Sequence, residues 1–146
     1  MGKFTKNFGE TVDCIVTPCK VYPGVDVEHG EKVTCVVKTD RAMWDTGATQ
    51  SLVSLSVVER LGVKPYGKVP VESHTGEIEW KNTYHVHLGL PTGDAVLDVE
   101  AMEDNGESYD VVIGMDVIAK GDFAFTNKDG KSVFSFRIPS EETIVF

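Results

Sequence analysis

The stretch AMWDTGATQSLVS, residues 42–54, places a carboxylate between a bulky aromatic residue and a Thr-Gly pair. Asp45 falls at the end of an apolar segment, where an ionised side chain is costly unless it has a partner. Gly47 permits a tight turn that a Cβ would obstruct, and the Thr46 hydroxyl can bond to backbone across a close neighbour. The pattern therefore predicts a turn that exposes the Asp45 carboxylate at its tip.

Two carboxylates that share one proton can hydrolyse an amide. One acts as a base toward water, and the other donates its proton to the carbonyl oxygen under attack. A single carboxylate can do the first task but has no proton for the second. The chain contains one Asp-Thr-Gly sequence. A dyad built on Asp45 therefore requires a second copy of the chain, or it does not exist.

The elements that must position this turn are predicted to be mostly β-strands. Short segments rich in Val, Ile, Thr and aromatic residues alternate with Gly, Asn, Asp and Pro. Turn sequences at 91–94, 103–107 and 127–130 favour antiparallel hairpins, because Gly with Asp or Asn tolerates positive φ. The predicted strands are 14–21, 32–38, 42–45, 51–54, 68–73, 76–90, 95–103, 110–114, 122–127, 132–138 and 143–146.

Two segments are predicted to be helical. Residues 54–63 have Ser54 or Ser56 as the N-cap and Gly62 as the terminating residue. The apolar face of this helix carries Val57, Val58 and Leu61. Residues 115–122 predict one further helical turn, with Asp116 near its start, and residues 22–30 predict a loop. No repeat or linker divides the chain, so we expect one domain over residues 1–146.

Composition narrows the possible partners. A net charge of −9 and a pI near 4.8 disfavour nucleic acid and anionic membrane surfaces, which both require a basic protein surface. No run approaches the roughly 20 apolar residues of a membrane span. Three cysteines give no complete disulfide framework, and the N-terminal residues lack the apolar core of a signal peptide. We therefore expect a cytoplasmic protein with reduced thiols and no metal or cofactor.

Three motifs, in order, resemble the retropepsin family, the single-domain aspartic proteases of retroviruses and their bacterial and cellular relatives. WDTGATQSLVS (44–54) is similar to the catalytic segment of the family. VESHTGE (71–77) stands where the family has its flap, a Gly-bearing hairpin that closes over the substrate. YDVVIGMDVI (109–118) is similar to the second hallmark, an apolar pair before Gly followed by Asp or Asn. The helix at SVVERLG favours the bacterial and cellular branch.

The resemblance implies an all-β, closed acid-protease barrel with one or two short helices. It implies an aspartic endopeptidase that acts on peptides or proteins as a homodimer, with Asp45 of each chain forming the catalytic dyad. Thr46 would brace the two loops across the interface, and Gly47 would contact the substrate backbone. The loop, which includes Ala48, would be supported from beneath by Ile113 and Gly114. The substrate-binding flap would comprise Ser73, His74, Thr75 and Gly76.

Two departures from the family pattern concern the dimer. Viral members carry an acidic residue after Asp-Thr-Gly-Ala and an Arg after the later Gly, and these pair near the subunit boundary. Here the two positions hold Thr49 and Met115, so both ends of the pair are missing together. The resemblance therefore predicts a dimer held by a different interaction. Residues 1–30 are also additional to the minimal viral pattern, and the sequence assigns them no role.

Alternative interpretations accompany these assignments. Asp45 could be a structural turn residue in a non-catalytic peptide-binding or assembly module, or the enzyme could be inactive until it is processed or meets a partner. Asp116 is expected to be structural, because helix N-termini favour Asp. His74 in the flap could contact the substrate or be merely exposed.

Two further pairs of residues have structural interpretations. His85 and His87 could chelate a metal, but no further ligand cluster is evident, so a solvated strand face is expected. Trp44 is expected to pack beneath the loop, and Trp80 on the rising arm of the flap hairpin.

Overall fold

Ten strands form two sheets in the computed structural model, which describes residues 2–105 and 108–146. Two short helices, α1 (Leu55–Leu61) and α2 (Met115–Ile118), complete the regular structure with two 3₁₀ turns, Val27–His29 and Lys128–Gly130. The strands are β1 (Gly2–Asn7), β2 (Ile15–Pro23), β3 (Val37–Trp44), β4 (Leu52–Ser54), β5 (Gly67–Glu72), β6 (Ile78–Gly89), β7 (Ala95–Asp104), β8 (Val111–Ile113), β9 (Asp122–Thr126) and β10 (Val133–Ile138). The predicted mostly β architecture with two short helices is confirmed.

The larger sheet has a ring-like strand order. Its strands run β2-β3-β8-β4-β7-β6-β5, and β2 also pairs with β6. Six strands therefore close on themselves, and β5 lies outside the ring. Within the ring, β3 is parallel to β8 and β4 is parallel to β7, while β4 and β8 are antiparallel. The short, fully apolar strand β8 thus lies between the two strands that flank the Asp-Thr-Gly turn.

The smaller sheet, in the order β1-β10-β9, packs its aromatic residues around Trp44. The Trp44 ring lies 5.0 Å from Phe134 and 4.8 Å from Phe136, measured between ring centroids. Its indole N–H donates to the Thr17 hydroxyl at 2.9 Å, which satisfies the one polar atom of a side chain that is 4% exposed. The prediction that Trp44 packs beneath the loop is confirmed, and the last residue of β3 is thereby fixed before the turn begins.

Helix α1 has the ends that the sequence predicts. The Ser54 hydroxyl accepts from the Val57 N–H at 3.2 Å, and Gly62 ends the helix in the left-handed region at φ 69°. The predicted apolar face is buried against the core through Val57, Val58 and Leu61. No helix in the described residues is long and apolar enough to cross a bilayer.

Some predicted elements are wrong. The predicted strand at 32–38 does not form, because residues 31–36 have no regular structure. Strand β3 instead begins at Val37 and ends at Trp44, and it includes two exposed polar residues, Asp40 and Arg41. The tail at 143–146 is exposed and forms no strand. The loop predicted at 22–30 begins later, because Tyr22 and Pro23 continue β2. Of the turn predicted at 103–107, residues 106 and 107 lie outside the described part of the chain.

The first 30 residues contribute two strands. β1 pairs with β10 in antiparallel register from Gly2↔Ile138 to Asn7↔Val133, and β2 pairs with both β3 and β6. β1 alternates half-buried and exposed residues, and its Phe4 ring lies edge-on to Phe134 at 5.5 Å. The segment that exceeds the viral pattern is therefore part of both sheets.

The three cysteines, Cys14, Cys19 and Cys35, are free thiols. Cys19 is 4% exposed on β2, and burial raises the pKa of its thiol to about 12. A thiol with such a pKa remains protonated and unreactive at neutral pH.

One carboxylate fastens the C-terminal segment to the smaller sheet. Asp122 accepts hydrogen bonds from the Glu141 N–H at 2.8 Å, from the Ser140 hydroxyl and from Arg137 Nε at 2.7 Å. These hydrogen bonds hold the pKa of Asp122 well below its usual range, and the bond from the Glu141 backbone N–H contributes most.

Because its pKa is lowered in the folded state, Asp122 stabilises the fold fully above the unfolded-state value of about 3.9, and this contribution is lost as pH falls toward the folded value. We expect Asp122→Asn to lower the free energy of unfolding at neutral pH, and the difference from wild type to shrink at about pH 3. Urea titrations at both pH values measure this, with the exposed Asp129→Asn as control. An equal difference at both pH values would contradict the assignment.

Candidate active site

The turn that follows β3 carries Asp45 as the sequence predicts. Its backbone N–H donates to the Ile113 carbonyl at 2.9 Å, which continues the parallel pairing of Trp44 with Ile113. The Gly47 N–H donates to Asp45 Oδ1 at 2.8 Å, and the Ala48 N–H donates to the Asp45 carbonyl at 3.2 Å. Asp45 is half-buried, whereas Thr46 and Gly47 are exposed. The turn thus holds the carboxylate through one oxygen, and the side chain remains partly accessible.

The second motif lies directly beneath this turn. The Met115 N–H, at the start of α2, donates to the Ala48 carbonyl at 2.7 Å. A Cβ on Gly114 would lie 2.8 Å from the Ala48 carbonyl oxygen and 2.9 Å from the Gln50 carbonyl carbon, so only glycine fits there without a backbone shift. The structure therefore brings Ile113 and Gly114 against the Asp45 turn, as the family resemblance implies.

Asp116 ties the two motifs together through Ser51. Its carboxylate accepts from the Ser51 N–H at 3.0 Å and from the Ser51 hydroxyl at 2.7 Å. The same hydroxyl accepts from the Gly114 N–H at 3.0 Å, and Ser51 is fully buried. Asp116 therefore has the expected structural role. Sequence reasoning missed Ser51, although a Ser that directly precedes an apolar strand beside the motif was a usable signal.

The predicted flap is a hairpin formed by β5 and β6. Antiparallel pairing runs from Gly67↔Thr83 to Glu72↔Ile78. Residues 73–77 form the tip, where the Ser73 N–H donates to the Glu77 carbonyl at 2.8 Å and Gly76 has a φ of 83°. That left-handed conformation explains a glycine at the tip. Ser73, His74 and Thr75 are all exposed, and the Ser73 and Thr75 hydroxyl oxygens lie 2.7 Å apart.

The hairpin presents different surfaces on its two faces. Val69 and Val71 are half-buried, and Val69 shares a cavity with Thr49 and Gln50, which follow the Asp45 turn. The opposite face is exposed and includes Trp80, which is 62% exposed in the single chain. The prediction that Trp80 packs on the hairpin is therefore wrong, because no neighbouring element covers that face in the single chain.

The prediction of a solvated histidine face is wrong for His87. This side chain is 2% exposed, and its Nε2 lies 2.8 Å from the Val25 carbonyl while its Nδ1 accepts from the Asp98 N–H at 3.1 Å. These partners require a proton on Nε2 and none on Nδ1. His85 is half-buried and stacks on Tyr66 with ring centroids 3.6 Å apart. Among the described residues, no group of three His, Cys, Asp or Glu side chains could hold a metal ion.

A family model connects this geometry to known proteins. The model for the "gag-polyprotein putative aspartyl protease" family matches residues 33–120, which is more than half of the chain and includes both motifs and the hairpin. The chain belongs to this aspartyl protease family. No curated protein sequence matches it significantly.

Two solved structures are similar to this chain. A retropepsin-like aspartic protease from Rickettsia conorii superposes with a TM-score of 0.56 at 12% identity, over 92% of this chain and 90% of that one. The retroviral protease-like domain of Ddi1 from Leishmania major superposes with a TM-score of 0.46 at 18% identity, over 85% of this chain and 95% of that one. The Rickettsia structure supports a retropepsin-like fold, as the sequence resemblance implies.

Proposed function

We propose that this protein is an aspartic endopeptidase that is active as a homodimer. One observation carries the proposal: the Asp45 turn is anchored from beneath by the Ile113–Asp116 motif, yet Asp45 itself is only half-buried. Gly47 N–H engages Oδ1, and no other described residue donates to the carboxylate. Since each chain supplies one such group, a second copy is required to complete a dyad.

In the proposed mechanism, the two Asp45 carboxyl groups share one proton across a two-fold axis. The ionised group takes a proton from a water molecule, which attacks the peptide carbonyl carbon, and the protonated group donates to the carbonyl oxygen. The tetrahedral intermediate then collapses as the C–N bond breaks and a proton passes to the leaving amine. The exposed Thr46 hydroxyl braces the two loops, and Gly47 lets the substrate backbone approach closely.

The proposed substrate is an extended peptide that lies between the Asp45 turn and the β5–β6 hairpin. Backbone hydrogen bonds would hold the peptide, and alternate side chains would enter pockets on either side. Residues 73–76 of the hairpin tip form the flap that closes over it. Gly76 gives the tip its left-handed turn, and the exposed His74 is available to contact the bound peptide.

We expect cleavage to be fastest at acidic pH. The shared-proton dyad works only while one of the two carboxyl groups is protonated, and rising pH removes that proton. Initial rates measured on one peptide across the pH range, with circular dichroism to confirm folding at each point, test this expectation. A rate that stayed constant up to about pH 9 would contradict a shared-proton dyad.

Sizing combined with a peptide-cleavage assay tests the proposal as a whole. We expect a dimer at micromolar concentration that cleaves an unselected peptide library, and we expect pepstatin to block the cleavage. A strict monomer cannot bring two Asp45 side chains together. A monomer without activity would instead support a non-catalytic peptide-binding or assembly module.

A further inference from the structure

A cavity of about 410 Å³ opens directly beside the Asp45 turn. Thr49 and Gln50, which follow the turn, contribute to one wall, and Val69 of the hairpin contributes to another. The Gln50 side-chain amide donates to the Glu100 carbonyl at 2.8 Å, which fixes this wall to β7. A peptide that lay between the turn and the hairpin would therefore pass the cavity and direct one side chain into it.

The apolar part of the cavity suits an aliphatic chain. Val99 is 6% exposed and is already packed against the core, whereas Leu97 is 43% exposed and leaves apolar surface open to water. Val69 is half-buried on the face of β5 that points toward the Asp45 turn. Methylene groups of a bound side chain would cover these surfaces and remove them from water.

The polar part of the cavity is predominantly acidic. Asp98, Glu100 and Asp116 line it together with one cation, Lys120. Asp116 is committed to Ser51, as described above, but it still contributes its charge. Glu100 Oε1 accepts from the Thr83 hydroxyl at 3.0 Å, and its second oxygen has no partner among the described residues.

Neither Asp98 nor Glu100 has an ion-pair partner within the described part of the chain. Asp98 is also held in an unusual conformation. Its φ is 57°, and its N–H donates to the buried His87, which fixes the backbone of this residue at the irregularity between β6 and β7. Two carboxylates that form no ion pair thus line a cavity with an aliphatic wall, and this combination complements a long cationic side chain.

We propose that this cavity is a subsite for a lysine or arginine side chain of the peptide substrate. The inference rests on the proposed endopeptidase function and adds a specificity to it. The methylene groups of the bound side chain pack on Leu97 and Val69, and its cationic end reaches Glu100 and Asp98. Lys120 opposes this preference because it has the same charge as the ligand.

Matched peptides test this specificity. Once a scissile bond has been mapped with the wild-type dimer, peptides that carry lysine, norleucine or glutamate at one flanking position at a time are compared by kcat/KM. At one position we expect lysine to exceed norleucine by about tenfold, the factor for one charge-assisted hydrogen bond, and glutamate to be the poorest.

Conservative variants assign the preference to the cavity. Glu100→Gln and Asp98→Asn keep the shape of each side chain, and each is expected to lower the lysine-to-norleucine ratio by about threefold or more. Lys120→Gln is expected to raise the ratio. Glu59→Gln, on the exposed face of α1, removes the same charge elsewhere and is expected to leave the ratio unchanged.

The outcomes separate the two proposals. Equal cleavage of the three peptides at every position overturns the subsite but leaves the endopeptidase standing. A lysine preference that persists in the Asp98→Asn, Glu100→Gln double variant also overturns the subsite. A folded, dimeric wild-type protein that cleaves no member of the unselected peptide library overturns both.

Discussion

An Asp45→Asn variant is expected to lose peptide cleavage by about 10³-fold or more, because the amide can neither take a proton from water nor donate one as a carboxylic acid does. The substitution is conservative in structure. The amide oxygen can accept the Gly47 N–H as Asp45 Oδ1 does, and the loop remains anchored through Ala48 and Ser51. The loss should therefore appear in kcat, whereas dimerisation and thermal stability stay close to wild type.

Cleavage of a mapped peptide, analytical sizing and thermal unfolding of the same samples measure these three properties. Asp40→Asn is the matched control, because it makes the same change at an exposed position on β3, the strand that ends at the turn. Cleavage by Asp45→Asn at the wild-type rate would show that the reaction does not use this carboxylate. A variant that no longer folds would show that Asp45 has mainly a structural role.

Gly114→Ala is expected to have the second largest effect. The added Cβ would meet the Ala48 carbonyl oxygen at 2.8 Å and the Gln50 carbonyl carbon at 2.9 Å. Both atoms are backbone, so the loop that carries Asp45 must shift. We expect the free energy of unfolding to fall by about 1–3 kcal/mol. We also expect kcat/KM to fall by about 100-fold, because a displacement of about 1 Å misaligns a catalytic group.

Gly67→Ala serves as the control for Gly114→Ala. Gly67 also lies in the larger sheet, but a Cβ there would meet the Thr83 hydroxyl oxygen at 3.4 Å, which is ordinary van der Waals contact. Urea unfolding and peptide cleavage are measured on both variants. If Gly114→Ala matched Gly67→Ala in stability and activity, the loop would not depend on close packing against Gly114.

Local signals in the sequence were sufficient for the parts of the site that are local in the chain. The Asp45 turn could be predicted because a strand ends just before Thr-Gly. The ends of α1 could be predicted from Ser54 and Gly62, because capping by a side chain or by the backbone acts within a few residues. The placement of Gly114 beneath the turn came from the order of motifs in a family. Spacing alone could not supply it, because Gly114 lies 69 positions after Asp45 in the chain.

The features that the sequence did not predict depend on contacts between distant segments. β1 is a strand because β10, about 130 residues later, offers a partner for its backbone. His87 is buried because the chain after β2 places the Val25 carbonyl against it. The link between Ser51 and Asp116 also joins residues 65 positions apart. In each case, tertiary contacts decided what the local pattern left open.

Mixing wild-type protein with Asp45→Asn tests most directly whether one active site requires two Asp45 side chains. The two proteins are combined in equal amounts in denaturant and refolded at constant total concentration, so that protomers pair at random. If a site needs Asp45 from both chains, cleavage should fall to about one quarter of the wild-type rate, because about one quarter of the dimers contain two wild-type chains. A fall to about one half would show that each chain acts independently, and it would contradict the proposed dyad.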